Sequence, residues 1–253
     1  MKHFILAFLL IGASLFQVRA QEHQKQFGIG GQVFYSDVFW TSSKENKVDS
    51  FNQLDHGILG VNPQLWYFVE WKRYNSLQVG LQYSITGHQR RAENIEFGKY
   101  YHPDMPRVTD NIQGDPRHID FVYRSHYIGV PILWNREIIA LRKSISLHYF
   151  FTSGISMGFL VYDKTVAHTR GFGFDGKNRF VVNNIYESNP FNAQLHIGGR
   201  IEYMIDARYR AHMQPMLNLP LTSMYGNGNK AYAPSVGISF MVSLIPGKEA
   251  ATD

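Results

Sequence analysis

Residues Phe191 to Ile205 read FNAQLHIGGRIEYMI. Every second residue from Phe191 is Phe191, Ala193, Leu195, Ile197, Gly199, Ile201, Tyr203 and Ile205. The intervening set is Asn192, Gln194, His196, Gly198, Arg200, Glu202 and Met204. Neighbouring side chains of a strand point to opposite faces, so this stretch reads as one strand with an apolar face and a wet one. Strands of globular proteins usually run to about 5–6 residues, and a tilted membrane strand needs roughly 9–11 for the hydrocarbon alone. The length therefore says more than the alternation does.

Seven further segments carry the same pattern. They are Phe27 to Trp40, Gly57 to Trp71, Ser76 to Arg90, His118 to Trp134, Ile145 to Tyr162, Tyr209 to Leu221 and Tyr232 to Leu244. The third is the cleanest, with Leu77, Val79, Leu81, Tyr83 and Ile85 against Gln78, Gly80, Gln82, Ser84 and Thr86. Lys72 to Asn75 and Asp206 to Arg208 read as tight turns, and Asn135 to Ser144 as a short connection with room for one helical turn. Ala92 to Arg117 holds Pro103, Pro106, Gly114 and Pro116, and Asp163 to Pro190 holds Gly171, Gly173 and Gly176. Both read as long loops.

Three features favour a membrane barrel over a soluble, lipocalin-like barrel, which has the same period with its apolar face inside. The segments outlast soluble strands. Connections are long after segments one, three, five and seven and shorter after two, four and six, the arrangement of a barrel with long external loops and short periplasmic turns. Outward aromatics fall near strand ends: Tyr67, Trp71, Tyr149, Tyr203 and Tyr209 at one level, Phe39, Tyr83, Tyr123 and Phe191 at the other. These read as the two interfacial girdles. The expected fold is all-β, one eight-stranded antiparallel up-and-down transmembrane β-barrel.

The chain has 253 residues, a formal net charge of +5, 15% aromatics, 22 glycines and no cysteine. Lys2, the apolar run Phe4 to Phe16 and Val18-Arg19-Ala20 read as a cleaved secretory signal over residues 1–20. Setting Lys2 and Arg19 aside leaves 23 basic against 20 acidic residues, too mild an excess to argue for nucleic acid. The lack of cysteine excludes disulfides, thiolate metal sites and a lipoprotein anchor. The expected organisation is a signal at 1–20, a short periplasmic segment at 21–26, the barrel at 27–245 and a tail at 246–253. The barrel lies in the outer membrane of a Gram-negative bacterium, in contact with its lipid, and its oligomeric state is left open.

The stretch Tyr127-Ile128-Gly129-Val130-Pro131-Ile132-Leu133 resembles the Y-L-x-I-P-L-L strand of the PorT-like outer-membrane β-barrel proteins of Bacteroidota. Phe151 to Gly158 is similar to the A-G-x-x-x-G strand that follows in that family, and His196 to Tyr203 to its next G-x-G-x-E-Y strand. The resemblance spans roughly residues 27 to 244 and implies an integral outer-membrane protein. It also implies an accessory link to protein secretion for some members, and no single activity. Pro131 cannot donate to a ladder, so a bulge or local gap is expected there.

If Asp206 to Arg208 is a turn, Glu202 opposes His212 and Arg200 opposes Gln214. By parity Glu70, Asp120, Arg124 and His196 share that interior, and charges in so narrow a lumen must be paired. The first reading is a polar plug; a gated path or narrow channel for small solutes is the sharper one. No cofactor is expected and no metal, because none of the eleven histidines has ligand spacing. His56, His88, His102 and His168 read as solvated loop histidines. Ser125-His126 points its two side chains to opposite faces, which suits no nucleophile, and no enzyme is expected. Tyr100, Tyr101, His102, Phe172, Phe174 and Tyr186 are the loop residues with the chemistry to meet a protein partner in the cell envelope.

Overall fold

The computed structural model describes residues 25–44, 47–72, 74–96, 98–108, 117–141, 146–170, 178–226 and 228–246. Eight long strands follow in chain order: β1 Lys25–Ser36, β2 Ile58–Lys72, β3 Asn75–Ala92, β4 His118–Glu137, β5 Leu147–Arg170, β6 Phe191–Met204, β7 Tyr209–Pro220 and β8 Ser235–Leu244. Each pairs antiparallel with its neighbours in sequence. β8 pairs back onto β1 from Phe27↔Leu244 to Ser36↔Ser235, and the ring is closed. Closure leaves no ladder edge, which is the condition for strands to cross hydrocarbon.

Cross-strand partners trace the stagger of the ring. From Gln26 on β1 the path runs through Phe68, Gln78, Leu133, Gly154, His196, Asn218 and Ser235 to Ser36, ten residues further along the same strand. Eight strands with that offset tilt about 41° from the axis, and the interior is just wide enough for side chains.

The two faces sort as a membrane demands. Ile29, Val33, Leu59, Val61, Leu65, Leu81, Ile128, Ile155, Phe159, Val236, Ile238, Phe240 and Val242 are exposed on the outer wall. Gln26, Gln32, Asn62, Gln64, Gln78, Gln82, Asn135, Gln214 and Asn218 are buried inside. A polar interior removes the lipocalin-like alternative, which needs the apolar set to line the cavity.

One end of the barrel has short connections, with the 3-10 turn Ile139–Leu141 between β4 and β5. The other end carries a cap built from the long ones. There β3, β4 and β5 run on together, from His118↔Arg170 on the β4–β5 side to Arg91↔Asp120 on the β3–β4 side. Short strands extend this sheet at both edges, Asp55–His56 on β3 and Arg179–Val182 on β5. Helix α1, Val48–Leu54, and a ribbon of Phe39–Ser42 with Lys230–Tyr232 pack over it. Trp40, Phe51, Met105, Val108, Phe121, Tyr123, Val182, Tyr186 and Tyr225 share one apolar core in this cap.

Two expectations change here. The fifth strand does not stop at Tyr162. The polar pair Asp163-Lys164 reads as a loop, yet Thr165, Ala167 and Thr169 are buried and their stretch pairs with β4 up to Arg170. Tyr123 is not in the outer girdle; it faces inward, buried, against His88 at 4.6 Å between ring centroids. The side chain of Trp71 lies outside the described ones. At Pro131 the β3–β4 ladder is interrupted between Val79↔Ile132 and Gln82↔Gly129. Pro131 keeps its place opposite Ser156 on β5, where no donor is asked of it.

Candidate functional site

The lumen holds a charged cluster near the short-turn end. β6 and β7 bring Glu202 opposite His212. Glu202 is buried and accepts from Arg210 Nη1, lies 3.5 Å from Arg200 Nη2 and 3.5 Å from His212 Nδ1. Glu70 sits 3.3 Å from the same Arg210 nitrogen and is more open to solvent. Two guanidinium groups thus face two carboxylates. The His212 ring stacks on Phe68 at 5.1 Å and bonds Ser243 through Nε2 at 2.7 Å. Arg200 lies over the Phe150 ring at 4.1 Å, and its Nε and Nη1 have no hydrogen-bond partner among the described residues.

Further along the axis the lumen is filled by amides and hydroxyls. Gln78 Nε2 donates to Gln214 Oε1, Asn135 Nδ2 to Gln78 Oε1, and Thr152 Oγ1 to Asn135 Oδ1 at 2.7 Å. His196 is bonded on both ring nitrogens, to Asn218 Oδ1 at 2.7 Å and Ser156 Oγ at 2.8 Å. Trp66, Phe68, Leu133 and Met241 form an apolar constriction within this network. An internal void of about 10 Å³ beside Gln64, His196 and Gln214 has room for one water.

The sequence placed eight polar residues in this interior. Six are there: Glu70, His196, Arg200, Glu202, His212 and Gln214. Arg124 is not, because in β4 the even-numbered residues from Val122 to Arg136 face outward and the odd ones, Tyr123, Ser125 and Tyr127, face in. Asp120 is buried, but in the cap above the barrel, 2.9 Å from Arg91 Nε and 3.5 Å from Arg170 Nη2.

The cap contains a second cluster that sequence reasoning missed. Asp55 is wholly buried and accepts from Trp40 Nε1 at 2.6 Å, Arg90 Nε at 2.5 Å and Arg90 Nη2 at 2.7 Å. His88 Nε2 lies 3.3 Å from the same carboxylate, and its Nδ1 meets the Tyr225 hydroxyl at 3.0 Å. Arg90 also donates to the Tyr186 hydroxyl and stacks on Phe51 at 3.8 Å. His88 lies five residues beyond Tyr83 of the outer girdle. Burial holds its imidazole down to about 4, against the pull of Asp55, so the ring is neutral at pH 7. Burial also raises the Tyr225 phenol well above its usual range. The loop histidines therefore divide: His88 and His102 are buried, whereas His56 and His168 are exposed. The only signal in the sequence was Trp40 followed by Asp55 in a loop, which names no partner.

Of the loop candidates, Tyr100 is exposed with Arg107 over its ring at 4.7 Å. The Tyr101 hydroxyl accepts from Glu96 N at 2.5 Å, and its ring packs against the cap core. His102 bonds the Asn183 carbonyl at 3.0 Å, and Tyr186 belongs to the cap core. Phe172 and Phe174 lie outside the described residues. Among the described residues no group of three or more His, Asp or Glu is arranged to hold a metal.

A closed ring, apolar outside and filled with paired polar groups inside, is a transmembrane β-barrel of the outer-membrane type. Among solved structures the chain is similar to Neisserial surface protein A (10% identity over 87% of this chain and 96% of that one, TM-score 0.40). It is also similar to Ail, the attachment invasion locus protein of Yersinia pestis (12% identity, 87% and 99%, TM-score 0.29), and to the outer membrane protease OmpT of Escherichia coli (8% identity, 90% and 99%, TM-score 0.35). At such identities the likeness is one of barrel build and carries nothing about activity. No protein-family profile and no curated protein sequence matches the chain.

Proposed function

We propose that this chain is an integral outer-membrane protein with a closed lumen that acts through its outer cap, by contact with a partner in the cell envelope, and performs no chemistry of its own. The observation that carries this reading is the doubly blocked axis. The Trp66–Phe68–Leu133–Met241 constriction and the amide network fill the barrel. The Asp55–His88–Arg90 core then sits beneath the cap over its outer mouth. A rigid scaffold presenting loops suits recognition. Residues 1–20 serve as the cleaved leader in this reading. Accessory service to protein secretion, implied by the PorT-like resemblance, is its narrower form.

Planar-bilayer recording on the purified protein tests it. Silence is the expected result. Stepwise currents would replace this reading with the narrow channel or small-solute transporter, for which the unpartnered nitrogens of Arg200 inside the lumen supply a cationic contact. The secretion role is tested separately, by whether a strain lacking the chain loses exported proteins from its surface.

A further inference from the structure

The outer wall of β3, β4 and β5 ends in a cationic notch. On β4 the outward residues run Trp134, Ile132, Val130, Ile128, His126 and Arg124. Ten residues from Trp134 to Arg124 span about 33 Å of strand, and at the tilt above this gives roughly 25 Å along the membrane normal, the height of a barrel's apolar band. Arg124 therefore stands at the outer edge of the hydrocarbon. Lys164 of β5 is its cross-strand partner, and neither side chain meets a carboxylate among the described residues.

One row lower, Tyr83, His126 and Tyr162 form an aromatic shelf. The Tyr83 hydroxyl and His126 Nδ1 are 2.7 Å apart, and the His126 ring lies 5.6 Å from Tyr83 and 5.7 Å from Tyr162. With the phenol donating to Nδ1, the proton of the neutral ring sits on Nε2 and is free to donate outward. The nearby carboxylate, Asp163, faces the other way and accepts twice from Asn184 Nδ2 at 3.1 Å. By contrast Arg91 and Arg170, higher on the same sheet, share Asp120.

The geometry points to a binding site for the phosphate of a net anionic lipid headgroup in the leaflet that the capped end faces. Arg124 and Lys164 supply the two positive charges, His126 Nε2–H a third donor, and the wall below, from Ile128 to Phe159, packs the acyl chain. Charge complementarity selects this occupant: two cations that meet no carboxylate among the described residues sit where an apolar wall ends, the level at which a lipid presents its phosphate. The site rests on the membrane reading above.

Native mass spectrometry of the full chain in detergent, titrated with phosphatidylglycerol or phosphatidylcholine, tests the site. Phosphatidylglycerol is expected to stay bound where phosphatidylcholine is lost, and Arg124→Ala with Lys164→Ala to cut that retention about tenfold. Arg91→Ala, whose charge Asp120 already answers, is expected to leave it unchanged. Equal retention of the two lipids, an unaffected double variant or an equal loss in Arg91→Ala overturns the site. Displacement by inorganic phosphate at the same concentration overturns the lipid assignment. Heat-dependent mobility separates the two readings: a shift without lipid preference sinks the site alone, and no shift sinks the membrane barrel and the site with it.

Discussion

Trp40 and Asp55 meet in the cap, indole Nε1 donating to Oδ2 at 2.6 Å with both groups buried. The bond ties the chain leaving β1 to the chain entering β2, and Arg90 of β3 closes on the same carboxylate. Removing one partner of a buried ion pair leaves the other charge without compensation, at about 3–5 kcal/mol. Asp55→Ala is therefore expected to open the cap while the barrel below stays closed. Limited proteolysis should cut the outer connections at far lower protease than in the parent. Heat-dependent mobility of the membrane-extracted protein should be retained.

His88 gives the cap a pH dependence with a definite sign. Its folded imidazole titrates near 4 because it is buried, and in the unfolded cap it returns to the ordinary value of about 6.5. Between those values the unfolded state binds a proton that the folded state refuses, so stability falls as pH falls. The slope is about 1.4 kcal/mol per pH unit across that window, and this group adds nothing above about pH 7. Hydrogen exchange of the cap amides at pH 7.5, 6 and 5 should show progressively faster opening. His88→Gln is expected to flatten most of the trend. His102, which burial also lowers, leaves a residual slope of the same sign.

The barrel was legible in the sequence and the cap was not. Alternation in Ser76 to Arg90 and Phe191 to Ile205 has a period of two that only a strand can satisfy, and the order of long and short connections fixes which end is which. The turn at Asp206 to Arg208 sets the register that pairs Glu202 with His212. Parity fails where both faces of a strand carry polar and aromatic residues. In β4, Tyr123, Ser125 and Tyr127 face in while Arg124 and His126 face out, and composition alone does not choose between those sets. The cap is built by contacts far apart in sequence, such as Tyr225 with His88 and Arg90 with Tyr186. No local period encodes these, so His88 looked like a loop residue although it is wholly buried.

Glu202 is the hinge of the lumen charges, touching Arg210, Arg200 and His212. Glu202→Ala is expected to destabilise the folded barrel by about 3–5 kcal/mol, since two guanidinium groups are then left with Glu70 alone. Glu202→Gln keeps the shape and an acceptor and should cost less. Urea unfolding in lipid vesicles, followed by tryptophan emission, measures both midpoints. Equal midpoints for Glu202→Ala and the parent would show that the cluster does not hold the barrel shut.

Gly80 makes the space that Trp66 occupies inside the barrel. A Cβ built on Gly80 would stand 2.4 Å from Trp66 Cε3 and 2.7 Å from the Leu65 carbonyl oxygen. The indole is buried and donates to Gln64 Oε1 at 3.2 Å, so it cannot swing away without losing that bond. The backbone oxygen cannot move without disturbing the Leu65↔Leu81 pair. Gly80→Val should strain a packed interior by about 1–3 kcal/mol or more. Refolding yield into detergent is the readout. A marked loss of the heat-modifiable band is expected for Gly80→Val. Adding Trp66→Phe to Gly80→Val should recover part of it, since the smaller ring vacates the clashing edge. A yield equal to the parent in Gly80→Val would mean that β2 and β3 shift register freely and that the Trp66 constriction is not fixed.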